Sequence, residues 1–228
     1  LVNQVVSLFH KLAELCPIVM LQANHDWLSS PDNPYFKFLS KIGNITWIDK
    51  PTPMFGDAIL LPHTANPERD WRGLNFKKYK YVFAHPTFAN AESDSSTFKL
   101  PGVPLSWFPQ GVQIISGDVH KPQTVCPLTY VGAPYHVDFG DDYAARVLLL
   151  KNDQLTSIPI TGPQKRLFEV KSIAELDQFP VAVGDLVKVR WTVSKPPEDW
   201  PGILEGVKVW ASDCGVVLHG VQLNVTGK

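Results

Sequence analysis

Residues 17–26 read Pro-Ile-Val-Met-Leu-Gln-Ala-Asn-His-Asp. Four apolar residues, Ile18 to Leu21, run straight into side chains that bind ions or carry protons. A run that short and that apolar has the length of a buried strand. Before it, Val2, Val5, Val6, Phe9, Leu12, Ala13 and Cys16 recur at helical spacing, and Pro17 ends that helix. Helix followed by strand is the second half of a β-α-β unit, in which another strand comes first. A strand upstream of Val2 is therefore expected, outside these residues or on another chain.

The same arrangement of apolar strand and ligand residues recurs twice. Tyr81–Ala84 leads into His85, and Val112–Ser116 leads into Gly117-Asp118-Val119-His120. Loops leaving the ends of neighbouring strands converge in layered α/β folds, so such residues gather at one place. Asn, His and carboxylate together give mixed nitrogen and oxygen ligation, suited to Mn²⁺, Fe or Zn²⁺ rather than to a thiolate zinc site. Two such ions a few Å apart activate a water and hold a phosphate oxygen for in-line displacement.

Further strands are expected at Ile45–Ile48, Ala58–Leu61, Leu128–Val131, Ala145–Leu150 and Leu155–Ile160. Tyr35–Ile42 is expected to be a helix, with Gly43 where a cap would sit. Pro31–Pro34 reads as a loop, and Ala89–Pro109 as a long one. Gly162-Pro163 marks a boundary between residues 1–162 and 163–228. Beyond it Leu167–Val170, Ile173–Phe179, Leu186–Val193, Glu198–Cys214 and Val216–Val225 read strand, helix, strand, helix, strand, with Gly215 closing the second helix.

Composition narrows the function. The chain has 228 residues and a net charge of −1. Residues 1–162 hold 13 basic and 14 acidic side chains, and residues 163–228 hold 8 of each. Neither part has the basic excess that holds nucleic acid by bulk charge, so DNA affinity needs a metal site, a local patch or a partner. No run approaches the ~18 apolar residues of a membrane helix. Cys16, Cys126 and Cys214 are far apart and odd in number, which suits buried free thiols in a reducing compartment, with the cytoplasm expected. His63, His136 and His219 are expected to be structural, and His10 to lie on the surface. Trp71, Trp107 and Trp210 are expected to pack in or around cores.

These motifs resemble a known family. Gln22-Ala23-Asn24-His25-Asp26 resembles the Gly-Asn-His-Asp/Glu motif of calcineurin-like metallophosphoesterases, and Ser116-Gly117-Asp118-Val119-His120 their later Gly-His-x-His motif. His85 sits where the family has its isolated metal-binding His. Tyr130-Val-Gly-Ala-Pro-Tyr-His-Val-Asp-Phe-Gly140 is similar to the SbcD-type branch, the nuclease subunits of bacterial and phage break-repair complexes. The resemblance implies a four-layer α/β/β/α sandwich with a small α+β C-terminal capping-type domain. It implies two divalent ions, Mn²⁺ foremost and Mg²⁺ next, and DNA phosphodiesters as substrate. An SMC-like ATPase is the implied partner, with homodimers in view and no membrane. Asn24, His85 and Asp118 map onto ligands of the second metal, and His120 onto the first. His25 maps onto the residue that protonates the leaving oxygen, with Asp26 orienting it, and Lys121 is placed to reach a phosphate.

The sequence departs from the family in three ways. Ala23 replaces a glycine, and Asp118 replaces a histidine, which favours hard ions. The family's opening Asp-x-His and Gly-Asp-x-x-Asp motifs do not occur before Asn24. As given, the chain offers His120 alone to the first metal. Two other readings stand beside the nuclease: a metallophosphoesterase acting on nucleotides or phosphoproteins, and a non-catalytic scaffold module with an incomplete metal site.

Overall fold

The computed structural model describes residues 2–26, 34–93 and 98–226. It is a mixed α/β chain with few helices, and it forms two compact units, Leu1–Gly132 and Ala133–Lys228.

The first unit opens with helix α1 (Val2–Leu15), in which Ala13 is the buried residue; Val5, Val6 and Phe9 are half-buried, whereas Leu12 is exposed. Strand β1 (Ile18–Leu21) pairs in parallel with β2 (Ile45–Ile48) as a two-stranded sheet. Between them, the helix expected at Tyr35–Ile42 is a 3-10 helix over Tyr35–Lys41. Its exit is not shaped by Gly43. Ile42 is extended and Asn44 takes the left-handed conformation at φ 64°. Asn44 suits that role because its amide also donates to the Ala13 carbonyl at 3.1 Å, tying the turn to α1. The expected loop at Pro31–Pro34 lies outside the described residues except at Pro34.

Six strands build the main sheet of this unit: β3 (Thr52–Met54), β4 (Ala58–Leu61), β5 (Tyr81–Ala84), β6 (Gln113–Ser116), β7 (Gln123–Val125) and β8 (Leu128–Tyr130). Their order is β3-β4-β5-β6-β8-β7, with β4, β5, β6 and β8 parallel and the two edges antiparallel. Alternation along the central strands sends Ile59, Leu61, Val82, Ile114, Leu128 and Tyr130 into one core with Trp71, Phe76, Phe88 and Phe108. Each such side chain contributes about 1.5–3 kcal/mol when fully buried. Helix α2 (Pro67–Trp71) feeds Trp71 into this core. Asn66 caps it by accepting from the Arg69 N–H at 3.0 Å, and Pro67 opens it. Of the stretch Ala89–Pro109, residues 94–97 lie outside the described residues; the rest holds bridges from Phe88 to Val103 and from Glu92 to Lys99 and a 3-10 turn at Leu105–Trp107.

The second unit begins at Ala133, ahead of the boundary expected at Gly162-Pro163. Contacts made by the intervening segment explain the difference. His136 is buried, with its ring nitrogens 3.1 Å from the Lys165 carbonyl and 2.8 Å from the Tyr143 carbonyl. These contacts fasten residues 136–143 to the chain at Lys165, beyond the expected boundary. The strands β9 (Arg146–Lys151) and β10 (Gln154–Pro159) form a two-stranded antiparallel hairpin. The remainder takes the expected order: β11 (Lys165–Val170), a 3-10 helix (Ile173–Gln178), β12 (Leu186–Val193), α3 (Trp200–Asp213) and β13 (Val217–Val225). The three strands lie in sequence order, all parallel.

Helix α3 has both termini satisfied. Asp199 accepts from the Gly202 N–H at 2.9 Å at its start. At its end Gly215 is left-handed at φ 67°, its N–H donating to the Ser212 carbonyl while the Val216 N–H donates to the Ala211 carbonyl. Trp210 is buried in the core of this unit, as Trp71 is in the other, and Trp107 packs against the core of the first unit. The three cysteines are free, but they are not buried: Cys16 and Cys126 are exposed and Cys214 is half-buried. All three lie at element ends or turns rather than within the sheets. Among the described residues no helix is long and apolar enough to cross a membrane.

Candidate metal centre

Parallel register sets the geometry of the site. Leu61 of β4 pairs with Ala84 of β5, and Ala84 with Ser116 of β6, so the three strands end level. His63, His85 and Asp118 come just after those ends. The end of β1 joins them through the His63 N–H, which donates to the Gln22 carbonyl at 2.8 Å. Four strand ends therefore converge, and Asn24 enters from the first of them.

Asn24, His85 and Asp118 form one hydrogen-bonded group. The Asn24 amide nitrogen donates to Asp118 Oδ1 at 2.9 Å. Asn24 Oδ1 lies 3.3 Å from His85 Nε2. That spacing is close to that of two donors on one divalent ion, since bonds of about 2.0–2.2 Å at a right angle put their ends about 3 Å apart. An amide oxygen, an imidazole nitrogen and a carboxylate fit one hard or borderline cation. Among the described residues no three His, Cys, Asp or Glu side chains gather around one point; this group reaches three donors by counting Asn24.

Burial pushes the His85 imidazole below its ordinary value. Asp118 and Asp26 oppose that shift, and His63 and His25 add to it. A ring so placed favours the neutral form that binds metal. His85 also packs closely against Gly117: a Cβ there would stand 2.4 Å from His85 Nδ1. Gly117→Ala is therefore expected to push the ring aside and to lower divalent-ion affinity about 10-fold or more, although no donor is removed. Titration of Mn²⁺ into both proteins by calorimetry checks this, and equal affinities would show that the ring has room to spare.

The other sequence-chosen residues lie around this group. His25 is exposed and Asp26 half-buried. The Asp26 carboxylate accepts from the Ala23 N–H at 2.7 Å, shaping the turn that carries Asn24. His120 is half-buried two residues past Asp118. Its carbonyl packs beneath Gly132, whose left-handed φ of 84° and missing Cβ allow the close approach. Lys121 Nζ lies 3.8 Å from the Glu92 carboxylate, which also takes Lys99 at 3.0 Å. The Gln123 side chain brackets the backbone of Glu92, accepting its N–H at 2.8 Å and donating to its carbonyl at 3.0 Å.

His63, expected to be structural, has its Nδ1 3.3 Å from the His85 carbonyl, a ring-to-backbone contact of that kind. Thr87 is the neighbour that a reading of the sequence misses; its hydroxyl donates to Asp118 Oδ2 at 2.5 Å. The loop that bears both His85 and Thr87 is braced by Tyr130. The phenol accepts from the Phe88 N–H at 2.7 Å and donates to the Pro86 carbonyl at 3.3 Å, and its burial raises its own pKa.

With fold and site in place, comparison with known proteins adds no relative: no family model matches the chain, and no curated protein matches it.

Proposed function

We propose that the chain is a metal-dependent phosphodiesterase of the calcineurin-like type, acting on DNA as the nuclease subunit of an SbcD-type complex. The observation that carries this reading is the meeting of Asn24, His85 and Asp118, from three separate strand ends, within hydrogen-bond reach. Asn24 and His85 are of the types the family motifs supply at these places in the chain, and Asp118 stands where the family has a histidine. The reading extends to a four-layer sandwich as the full architecture, an SMC-like ATPase as partner and the cytoplasm as compartment.

In this proposal Asn24, His85 and Asp118 hold one divalent ion, with Mn²⁺ or Mg²⁺ preferred because two of the three donors are oxygen. A bound ion polarises a phosphate oxygen of the substrate. His25, which faces solvent, meets the substrate rather than the ion and gives a proton to the leaving oxygen. Asp26 holds the turn that presents His25. Lys121, shared with Glu92, adds positive charge beside the phosphate. His120 is the one residue here assigned to a second ion. One cation without a bridging carboxylate leaves a second one uncompensated at short range, so a single ion is expected on these residues.

Metal analysis by mass spectrometry after dialysis against Mn²⁺ tests this. One equivalent per chain is expected, falling to a small fraction of that in Asp118→Ala. Loss of none in Asp118→Ala would remove Asp118 from the site, and two equivalents would mean that the site was misread. Linear plasmid DNA, cyclic nucleotides and an aryl phosphodiester, each offered with Mn²⁺, then separate the nuclease from a nucleotide phosphodiesterase. Turnover of cyclic nucleotides with DNA left intact would favour the latter.

A further inference from the structure

Asp118 is held in a conformation that needs support. Its φ is 79°, in the left-handed region that Asp and Asn adopt more readily than other side-chain-bearing residues but that the surrounding contacts must support. Both carboxylate oxygens are tied, each to a different strand end. Oδ1 accepts from the Asn24 amide at 2.9 Å, and Oδ2 from the Thr87 hydroxyl at 2.5 Å. Thr87 is itself held. Its carbonyl accepts from the Val103 N–H at 2.9 Å, and a Cβ on Gly102 would sit 2.3 Å from that same oxygen. The strand-like bridge between Phe88 and Val103 closes against it, and Tyr130 braces Pro86 and Phe88 on either side.

The two oxygens of Asp118 are therefore unequal. Oδ1 faces Asn24, whose own oxygen faces His85. Oδ2 is drawn away to Thr87. An ion held by Asn24, His85 and Asp118 would meet Asp118 through Oδ1 alone for as long as the Thr87 bond is kept. Single-oxygen ligation suits an ion smaller than Ca²⁺, such as Mn²⁺, whereas Ca²⁺ takes about six to eight oxygens and readily binds a carboxylate through both.

We infer that Thr87 is a positioning residue that fixes Asp118 for one-oxygen ligation and thereby selects Mn²⁺ over Ca²⁺. The inference rests on the metal centre proposed above. Outer partners of metal ligands commonly contribute 10–100-fold to affinity, and this hydroxyl is such a partner.

The test is binding, not turnover. Mn²⁺ and Ca²⁺ affinities are measured by calorimetry in the wild type, Thr87→Val, Thr87→Ser and Asp118→Ala, with thermal melts to confirm folding. Thr87→Val, nearly the same shape without the hydroxyl, is expected to weaken Mn²⁺ about 10-fold or more and to narrow its margin over Ca²⁺. Thr87→Ser keeps the hydroxyl and is expected to stay within about 3-fold of wild type for both ions. If Asp118→Ala loses Mn²⁺ while Thr87→Val keeps it, the positioning role is overturned and the metal centre stands. If Thr87→Ser falls as far as Thr87→Val, packing rather than the hydroxyl is responsible, and the inference again fails. If Asp118→Ala binds Mn²⁺ as the wild type does, the metal centre itself is misplaced and the role of Thr87 goes with it.

Discussion

Asp185→Ala is expected to lower the stability of the second unit by about 1–3 kcal/mol, the cost of leaving hydrogen-bond donors without their buried acceptor. Asp185 is fully buried. Its carboxylate accepts from the Gln164 N–H at 2.7 Å, the Ala182 N–H at 3.1 Å and Arg166 Nε at 3.1 Å. Arg166 is a third exposed and Ala182 is exposed, so both can turn to water, and most of the loss falls on the half-buried Gln164 N–H and on the space the carboxylate leaves. Burial alone would raise the carboxyl's pKa. The two backbone donors and the guanidinium outweigh it and hold the group below the ordinary aspartate value. A depressed folded-state pKa adds stability that is present above the unfolded value of about 3.9 and is lost as pH falls through the folded one. Acid unfolding of this unit is accordingly expected below the ordinary carboxylate range, and the Asp185→Ala protein should lack that contribution. Hydrogen exchange along β12, measured from pH 7 downward, reads both effects. A loss under about 1 kcal/mol would mean that the three donors find other partners.

On the function proposed above, His25→Asn is expected to lower phosphodiester cleavage by about 10²–10⁴ while leaving Mn²⁺ binding unchanged, the signature of a proton donor rather than a ligand. The resemblance gives His25 that role, and the side chain is exposed, next in sequence to Asn24. His85→Ala, by contrast, should lose metal and activity together. The comparison is made at saturating Mn²⁺, on whichever of the phosphodiesters offered above is turned over. Equal metal loss in the two variants would refute the division of roles.

In the six-stranded sheet the central strands were legible and the two edge strands were not, for a physical reason. The strands β4, β5 and β6 have neighbours on both edges, so the residues they bury form apolar runs that stand out. The two unforeseen strands, β3 and β7, are the edges of the same sheet. Thr52-Pro-Met has a proline that only an edge tolerates, and Gln123-Thr-Val carries its one long polar side chain to Glu92. The alternating order of the second unit was readable because its strands and α3 have opposite periodicities and firm caps. The boundary at Gly162-Pro163 was inferred from turn composition, and composition carries no trace of His136 reaching the Lys165 carbonyl. In the site, His85 and Asp118 announced themselves by position after a strand. Thr87 did not, because a hydroxyl two residues on becomes informative only when the partner's direction is known.

The bond between Asn24 and Asp118 joins residues 94 positions apart. A contact of that range closes late, after the entropy of a long loop has been met by the packing of everything between. The donor group is thus assembled by strands of two sheets rather than by its own three loops. Its occupancy by an ion would report the integrity of β1, β5 and β6 together, and slow exchange of the ion would share its barrier with the opening of those strands. A substitution deep in the core, at Ile114 or Val82, reaches the site through the same level strand ends that create it.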